Sequence, residues 1–191
     1  MTAVSKDFIK GYYLDDLNIC DRFIDFFNNN KELHGAGFVY GTKAEIDRDQ
    51  KESTDINLSI TDDKNRCDVL IDYEQELIKA LDKYKKEFPS IEYGSRWGIF
   101  EQLNIQYYKP GQGFKKWHCE RSQPKNDRML VWMTYLNDVD DGGTEFVNQK
   151  FSSPAKKGLT LFWPVDWTHT HRGIISHTKE KYIVTGWFSY A

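Results

Sequence analysis

The second half of the chain consists of short runs of aromatic and branched residues separated by turn signals, and this pattern restricts the possible folds most. From about residue 93 the runs are QLNIQYY, RMLVWMTYL, GLTLFW and YIVTGWFSY. The segments between them contain PGQG, DVDDGG and SSPAKKG, which are typical of turns. No helix-length pattern between the later runs suggests a parallel sheet. The sequence therefore predicts an antiparallel β sandwich or barrel.

Two helical patterns precede these strands. Apolar side chains recur at helical spacing over residues 14–28 and, more strongly, over residues 70–88, where Pro89 ends the pattern. The segment between them, residues 41–68, is polar, carries charges of both signs and has little periodicity. We expect this segment to be mostly a surface connection. Its length also suggests that it includes a mobile lid over a binding site.

Composition restricts the classes of function. The chain has 191 residues, of which 39% are apolar and 15% aromatic, enough for one globular domain. We interpret it as a helical part over about residues 1–92 and a β core over about residues 93–191. The lack of a membrane-length apolar run and the three scattered cysteines favour a soluble cytoplasmic protein. A net charge of −3 without a lysine or arginine block argues against broad electrostatic binding to nucleic acid, and the lack of a membrane-length apolar run argues against a membrane partner.

Four of the five histidines lie in the β part, near other residues of metal-binding type. In HCE, residues 118–120, strand alternation would place His118 and Glu120 on one face and Cys119 on the other. A third ligand from WTHTHRG, residues 167–173, would complete a site of two histidines and one carboxylate. Such a site leaves coordination positions open and suits Fe(II) oxygen chemistry.

Six motifs in a fixed order make this interpretation more specific. They are YYKPGQGFKKWHCE, then R and YLN, GGTEF, KKGLTLFW, HRG and KYIVTGWF, over about residues 104–190. In this order they resemble the prolyl-4-hydroxylase-like branch of the Fe(II)/2-oxoglutarate oxygenases. The resemblance implies a mainly β (α+β) protein: a double-stranded β-helix, or jelly roll, with buttressing N-terminal helices and iron at its open end.

The resemblance also implies the metal ligands and one co-substrate residue. The family's HxD motif corresponds to residues 118–120, where Glu120 replaces the usual aspartate. The distal histidine maps to His171, which leads HRG, and His169 on the same strand face is the alternative. Lys181 follows His171 by ten residues, the interval at which the family places the basic residue that pairs with the distal carboxylate of 2-oxoglutarate.

Four further residues complete the implied pocket. Tyr135, in YLN, matches a tyrosine whose hydroxyl hydrogen-bonds the same carboxylate in similar enzymes. Tyr108 matches a second co-substrate tyrosine, with Tyr107 as the alternative one position away. Thr185 and Trp187 share one face of the last strand and are expected to line the iron pocket.

The implied activity is that of an Fe(II)- and 2-oxoglutarate-dependent dioxygenase. It couples oxidative decarboxylation of 2-oxoglutarate to succinate and CO2 with hydroxylation of a C–H bond. A prolyl residue of a protein or peptide is the first candidate substrate, O2 is the second co-substrate, and ascorbate is a candidate cofactor.

Other functions remain open at this point. One is a non-enzymatic metal-binding jelly-roll module, which the glutamate at position 120 favours. Another is the same oxygenase chemistry on a nucleobase or small metabolite. A zinc hydrolase with the same three ligands would give Lys181 and Tyr135 no role.

Overall fold

The computed structural model describes residues 4–40, 44–59, 67–122 and 125–191. Its two helices are α1 (Asn18–Asn29) and α2 (Asp68–Glu87). Its strands are β1 (Val4–Lys6), β2 (Ile9–Tyr13), β3 (Gly35–Ala36), β4 (Val39–Tyr40), β5 (Ala44–Glu45), β6 (Lys51–Glu52), β7 (Thr54–Leu58), β8 (Trp97–Gly98), β9 (Leu103–Tyr108), β10 (Gly113–Phe114), β11 (Arg128–Tyr135), β12 (Val139–Phe146), β13 (Phe151–Ala155), β14 (Leu159–Pro164), β15 (His171–Gly173) and β16 (Lys181–Tyr190).

Two sheets form the β core. The large sheet has the order β1-β2-β14-β11-β16-β9-β7-β3, with β8 paired to β16, and the small sheet has the order β13-β12-β15. All of these pairings are antiparallel. Between the two sheets, Tyr135, Phe146, Trp163 and Ile183 belong to one buried cluster. Two antiparallel sheets around a common core make a jelly roll, which confirms the predicted fold class.

The two helices cover the other face of the large sheet. Their apolar side chains pack there, from α1 Ile19, Cys20, Phe23 and Phe27, and from α2 Val69, Leu70, Tyr73, Leu77, Ala80, Leu81 and Tyr84. Both predicted helices are confirmed, with ends shifted by a few residues, and α2 stops just before Pro89 because proline cannot continue a helix. Neither helix in the described part of the chain is long and apolar enough to cross a membrane.

The interpretation of residues 41–68 as mostly a surface connection is wrong for residues 51–58. These residues form β6 and β7, and β7 lies in the large sheet beside β9. A mobile lid cannot include them, since they are fixed by strand pairing. Residues 41–43 and 60–66 of the same segment lie outside the described residues. The first part of the chain thus supplies β1 to β7 in addition to its two helices, and was not expected to do so.

Candidate active site

A cavity of about 150 Å³ lies between the large and the small sheet. The residues that the sequence analysis proposed for the metal and the co-substrate all line it: His118, Glu120, His171, Lys181, Tyr135, Tyr108, Thr185 and Trp187. Four charged or polar side chains that the sequence analysis did not connect with the site also line it: Lys51, Asp55, Gln106 and Arg128. The fold thus brings these twelve side chains, spread over residues 51–187, to one cavity.

Three of these side chains converge at one point. A ligand atom from each of His118, Glu120 and His171 lies within 4.8 Å of the other two. Oε1 of Glu120 is 3.4 Å from Nε2 of His118 and 3.5 Å from Nε2 of His171. Two imidazoles and a carboxylate at this separation form a donor set that can hold one divalent metal ion.

The backbone brings these ligands together in a way that strand alternation did not predict. HCE does not lie in a strand; it is part of the irregular segment between β10 and β11. The peptide N–H of His118 donates to the carbonyl of His171 at 3.0 Å, and the reciprocal bond measures 2.9 Å. This pair of bonds fixes the HCE segment against β15, so the two histidines stand side by side.

Both histidines present Nε2 to the common point because their other ring nitrogen is occupied. Nδ1 of His118 lies 3.1 Å from the carbonyl of Lys116, and Nδ1 of His171 lies 2.9 Å from the carbonyl of His169. A carbonyl only accepts, so each Nδ1 carries a proton and Nε2 is the nitrogen of each ring that can bind a metal. Burial and the neighbouring His118 lower the pKa of His171, which favours its neutral, metal-binding form.

The second oxygen of Glu120 has two donors of its own. Oε2 accepts from Nη1 of Arg128 at 3.1 Å and from the indole N–H of Trp187 at 3.0 Å. Burial alone would raise the pKa of Glu120, but the two histidines and the Arg128 charge hold it well below its usual range. The carboxylate is therefore ionised and available as a ligand at neutral pH.

His169, the alternative distal ligand, lies outside the cavity. It ends a short 3₁₀ turn over Trp167–His169, so the expectation that it shares a strand face with His171 is wrong. Its Nε2 lies 2.9 Å from the carbonyl of Asp7. Only His171 of this pair faces Glu120.

Lys181 is a buried cation at another wall of the cavity, 4% exposed. Its Nζ donates to the carbonyls of Gly142 at 2.9 Å and Ile174 at 2.8 Å. Among the described residues no carboxylate forms an ion pair with it. Burial lowers the pKa of Lys181 to about 8, although the Asp141 charge opposes this shift. A buried ammonium without a carboxylate partner is suited to an anionic ligand.

The tyrosines divide between the two faces of the large sheet. Tyr108 and Tyr135 line the cavity, and burial raises the pKa of Tyr135 to about 12, so its hydroxyl stays protonated. That hydroxyl lies 2.7 Å from the hydroxyl of Thr144. Tyr107 instead packs with Phe27 on the helix side. The geometry therefore places Tyr108, and not Tyr107, beside the cavity.

Two further contacts, one on β6 and β7 and one on β16, complete the site. Nζ of Lys51 and Oδ2 of Asp55 form a buried ion pair at 2.6 Å. Within the described structure the other carboxylate oxygen of Asp55 has no hydrogen-bond partner. Thr185 donates to the carbonyl of Trp132 at 3.1 Å, so its hydroxyl proton is already used.

Comparison with known proteins shows which family of proteins this part of the chain matches. Residues 103–189 match the model of the 2OG-Fe(II) oxygenase superfamily, and this range holds the three converging ligands and Lys181. This part of the chain is a 2OG-Fe(II) oxygenase domain. The family comprises dioxygenases that use Fe(II) and 2-oxoglutarate, and the resemblance indicated by the six sequence motifs is thereby confirmed. No curated protein matches the chain.

Solved structures extend the similarity of the oxygenase domain to the whole fold. The viral collagen prolyl hydroxylase vCPH of Paramecium Bursaria Chlorella virus-1, in its 2OG complex, has a TM-score of 0.68 at 18% identity, covering 97% of both chains. A prolyl-4-hydroxylase of Pseudomonas putida has a TM-score of 0.69 at 12% identity, covering 96% of this chain and 92% of its own.

A third similar structure is a prolyl hydroxylase of Trichoplax adhaerens in complex with a hypoxia inducible factor oxygen degradation domain peptide fragment. Its TM-score is 0.68 at 11% identity, with 95% of this chain and 83% of that chain covered. At these identities the similarities show a shared fold, in which the N-terminal helices and strands are included.

Proposed function

We propose that the protein hydroxylates a C–H bond of a substrate with Fe(II), 2-oxoglutarate and O2, and that the substrate is a prolyl residue of a protein or peptide. The proposal is carried by one observation: the donor set of His118, Glu120 and His171 shares its cavity with the buried ammonium of Lys181, which has no carboxylate partner among the described residues. A metal site alone would suit many functions. The buried cation in the same cavity gives a dianionic co-substrate a specific partner.

The chain's own residues supply binding, orientation and exclusion of water. Iron held by the three ligands would supply the activation of O2, such that one oxygen atom enters the succinate formed with CO2 from 2-oxoglutarate and the other enters the hydroxylated product. Lys181 pairs with the distal carboxylate of 2-oxoglutarate, and Tyr135 donates its hydroxyl proton to the same group. Phe114, stacked on His118 with ring centroids 3.5 Å apart, excludes water from one side of the ligand set.

The choice of a peptidyl substrate is supported by the three similar structures, all of which are prolyl hydroxylases, one of them with a peptide bound. The test is incubation of the iron-loaded protein with 2-oxoglutarate, O2 and ascorbate on proline-containing peptides, read by mass spectrometry. The expected product carries one added oxygen on proline. If peptides stay unmodified while nucleosides or small metabolites gain an oxygen atom, the proposed peptidyl substrate is wrong and the substrate belongs to one of those classes.

Shortening the carboxylate in Glu120→Asp should lower both metal affinity and turnover. Loss of one methylene retracts the carboxylate by about 1.5 Å. Metal–oxygen distances tolerate only ~0.2 Å, so the shorter side chain leaves a gap unless the backbone shifts. Titration with Co(II) and a 2-oxoglutarate turnover assay measure the two effects. Equal affinity and turnover in wild type and variant would show that the backbone is placed for aspartate.

Binding of 2-oxoglutarate should weaken as the pH rises through 8. The protonated form of Lys181 binds the dianion, and its lowered pKa of about 8 means that the empty site loses this charge at mildly alkaline pH. The apparent affinity should fall about tenfold between pH 7 and pH 9. In Lys181→Arg the dependence should vanish over this range, because guanidinium stays charged. Calorimetry on the metal-loaded protein measures both, and a flat wild-type profile would contradict the assignment.

A further inference from the structure

On the side away from the two histidines, the Glu120 carboxylate contacts a cluster formed by Arg128, Trp187 and Glu101. None of these three residues belongs to the metal-binding motif. We infer that Arg128 and Trp187 are positioning residues, which hold Oε2 of Glu120 and thereby make this glutamate a ligand through Oε1 alone. The inference rests on the proposed metal centre and adds to it a reason why a glutamate serves in place of aspartate.

The first observation is the geometry around the carboxylate. Oε2 has two donors, at 3.1 Å from Arg128 and 3.0 Å from Trp187, whereas Oε1 points to the two Nε2 atoms. A carboxylate bound in this way cannot rotate to offer both oxygens to a metal without breaking both bonds. The longer side chain also reaches these donors and the histidines at once.

The second observation is that Arg128 is itself fixed, and so can fix another group. Its Nε and Nη2 donate to the two oxygens of Glu101, each at 2.8 Å. Its guanidinium lies over the Trp187 ring, 3.6 Å from the centroid, and the side chain is 4% exposed. The guanidinium is thus paired, stacked and buried, and its Nη1 donates to Glu120 from this fixed position.

The charge balance also favours this role. Arg128 lies between two carboxylates, and Lys125 forms a further ion pair with Glu101 at 2.7 Å. The two cations balance the charge of Glu101, and the Arg128 guanidinium contacts Glu120 through Oε2, away from the histidines. The cluster therefore holds a ligand carboxylate without placing a second cation inside the donor set.

The test measures Co(II) affinity and the visible absorption of the Co(II)-loaded protein, which reports the ligands of the metal. In Arg128→Gln we expect affinity to fall about 10–100-fold, as for other partners of metal ligands, together with a changed spectrum. Trp187→Phe keeps an aromatic ring beside Arg128 but removes the five-membered ring that carries the N–H, so it should change the spectrum in the same direction with a smaller loss. Arg128→Lys should restore affinity partly, because it returns the charge without the fork.

A matched control is available in the small sheet. Arg172 pairs with Glu145 at 2.5 Å and lies over Trp117, 4.4 Å from the ring centroid, but has no contact with the Glu120 carboxylate. Arg172→Gln should leave affinity and spectrum unchanged. A purely structural role for Arg128 would lower the Tm of the metal-free protein and leave the spectrum as in wild type.

Two outcomes would overturn the inference, and they are distinguishable. Wild-type affinity and spectrum in both Arg128→Gln and Trp187→Phe would remove the positioning role while the metal centre stands. Failure of the wild-type protein to bind Co(II) would remove the proposed metal centre itself, and the positioning role with it.

Discussion

Replacing His171 with alanine should abolish specific metal binding and, with it, all turnover of 2-oxoglutarate. The variant removes one of three converging donors and leaves a half-buried histidine and a carboxylate that cannot complete the site. Calorimetric titration with Co(II), supported by iron analysis of the purified protein, measures the loss. Because neutral imidazole is the ligating form, wild-type protein should also release its metal as the pH falls below the histidine range.

His169→Ala is the matched control for this result. His169 is two residues away and equally buried, but its ring contacts the Asp7 carbonyl and lies outside the cavity. The His169→Ala variant should therefore keep most of the metal affinity of the wild-type protein. The reverse ranking of the two variants would show that His169 is the distal ligand. Lys181 would then no longer follow the distal histidine by ten residues, which is the interval that identified it.

Replacing Lys181 with alanine should weaken binding of 2-oxoglutarate by about several hundredfold or more while metal binding survives. The variant leaves a carboxylate in a buried site without its charge partner, a loss of about 3–5 kcal/mol, and this converts to a factor of that size. The measurement is calorimetric titration of 2-oxoglutarate into protein loaded with Co(II) in place of Fe(II). Lys181 is buried, so in the variant water cannot solvate the carboxylate well enough to replace the lost ammonium.

Lys181→Arg separates charge from shape in the same titration. It should bind better than the alanine variant because the charge returns, and worse than wild type because the guanidinium is larger and the carbonyls of Gly142 and Ile174 are placed for an ammonium. An alanine variant that binds 2-oxoglutarate as tightly as wild type would remove Lys181 from the site. The three ligands would then remain as a metal site without assigned oxygenase chemistry.

The β16 side of the cavity could be predicted from sequence because its strand is long and regular. Over ten residues, two-residue alternation puts Lys181, Thr185 and Trp187 on one face, and the structure has all three in the cavity. In a regular strand, the face to which a side chain points follows directly from its position in the sequence.

The opposite wall could not be predicted in the same way. β7 alternates Asp55 and Asn57 with Ile56 and Leu58, which is a strand signal, but its polar residues suggested solvent exposure. Asp55 instead faces a polar cavity, so a polar side chain here does not indicate an exposed one. A sheet with a binding site on one face breaks the rule that alternation separates core from solvent.

The contact between Arg128 and Glu120 was hidden for a different reason. The sequence left Arg128 as a surface residue by default, with binding of a substrate anion as the alternative, and did not connect it with the metal ligands. Its partners Glu101 and Glu120 lie in irregular segments of the chain. In such segments no periodicity indicates which side chains contact each other. Only the folded arrangement reveals that this arginine lies behind a metal ligand.

The most direct test of the account is anaerobic titration of 2-oxoglutarate into the wild-type protein with and without Co(II). We expect one equivalent to bind to the metal-loaded protein, with much weaker binding to the metal-free protein, since the co-substrate engages both the metal and Lys181. The stoichiometry and the dependence on metal do not require knowledge of the substrate to be hydroxylated. Absence of binding to the metal-loaded protein, or equal binding without metal, would contradict the assignment of this cavity as an oxygenase site.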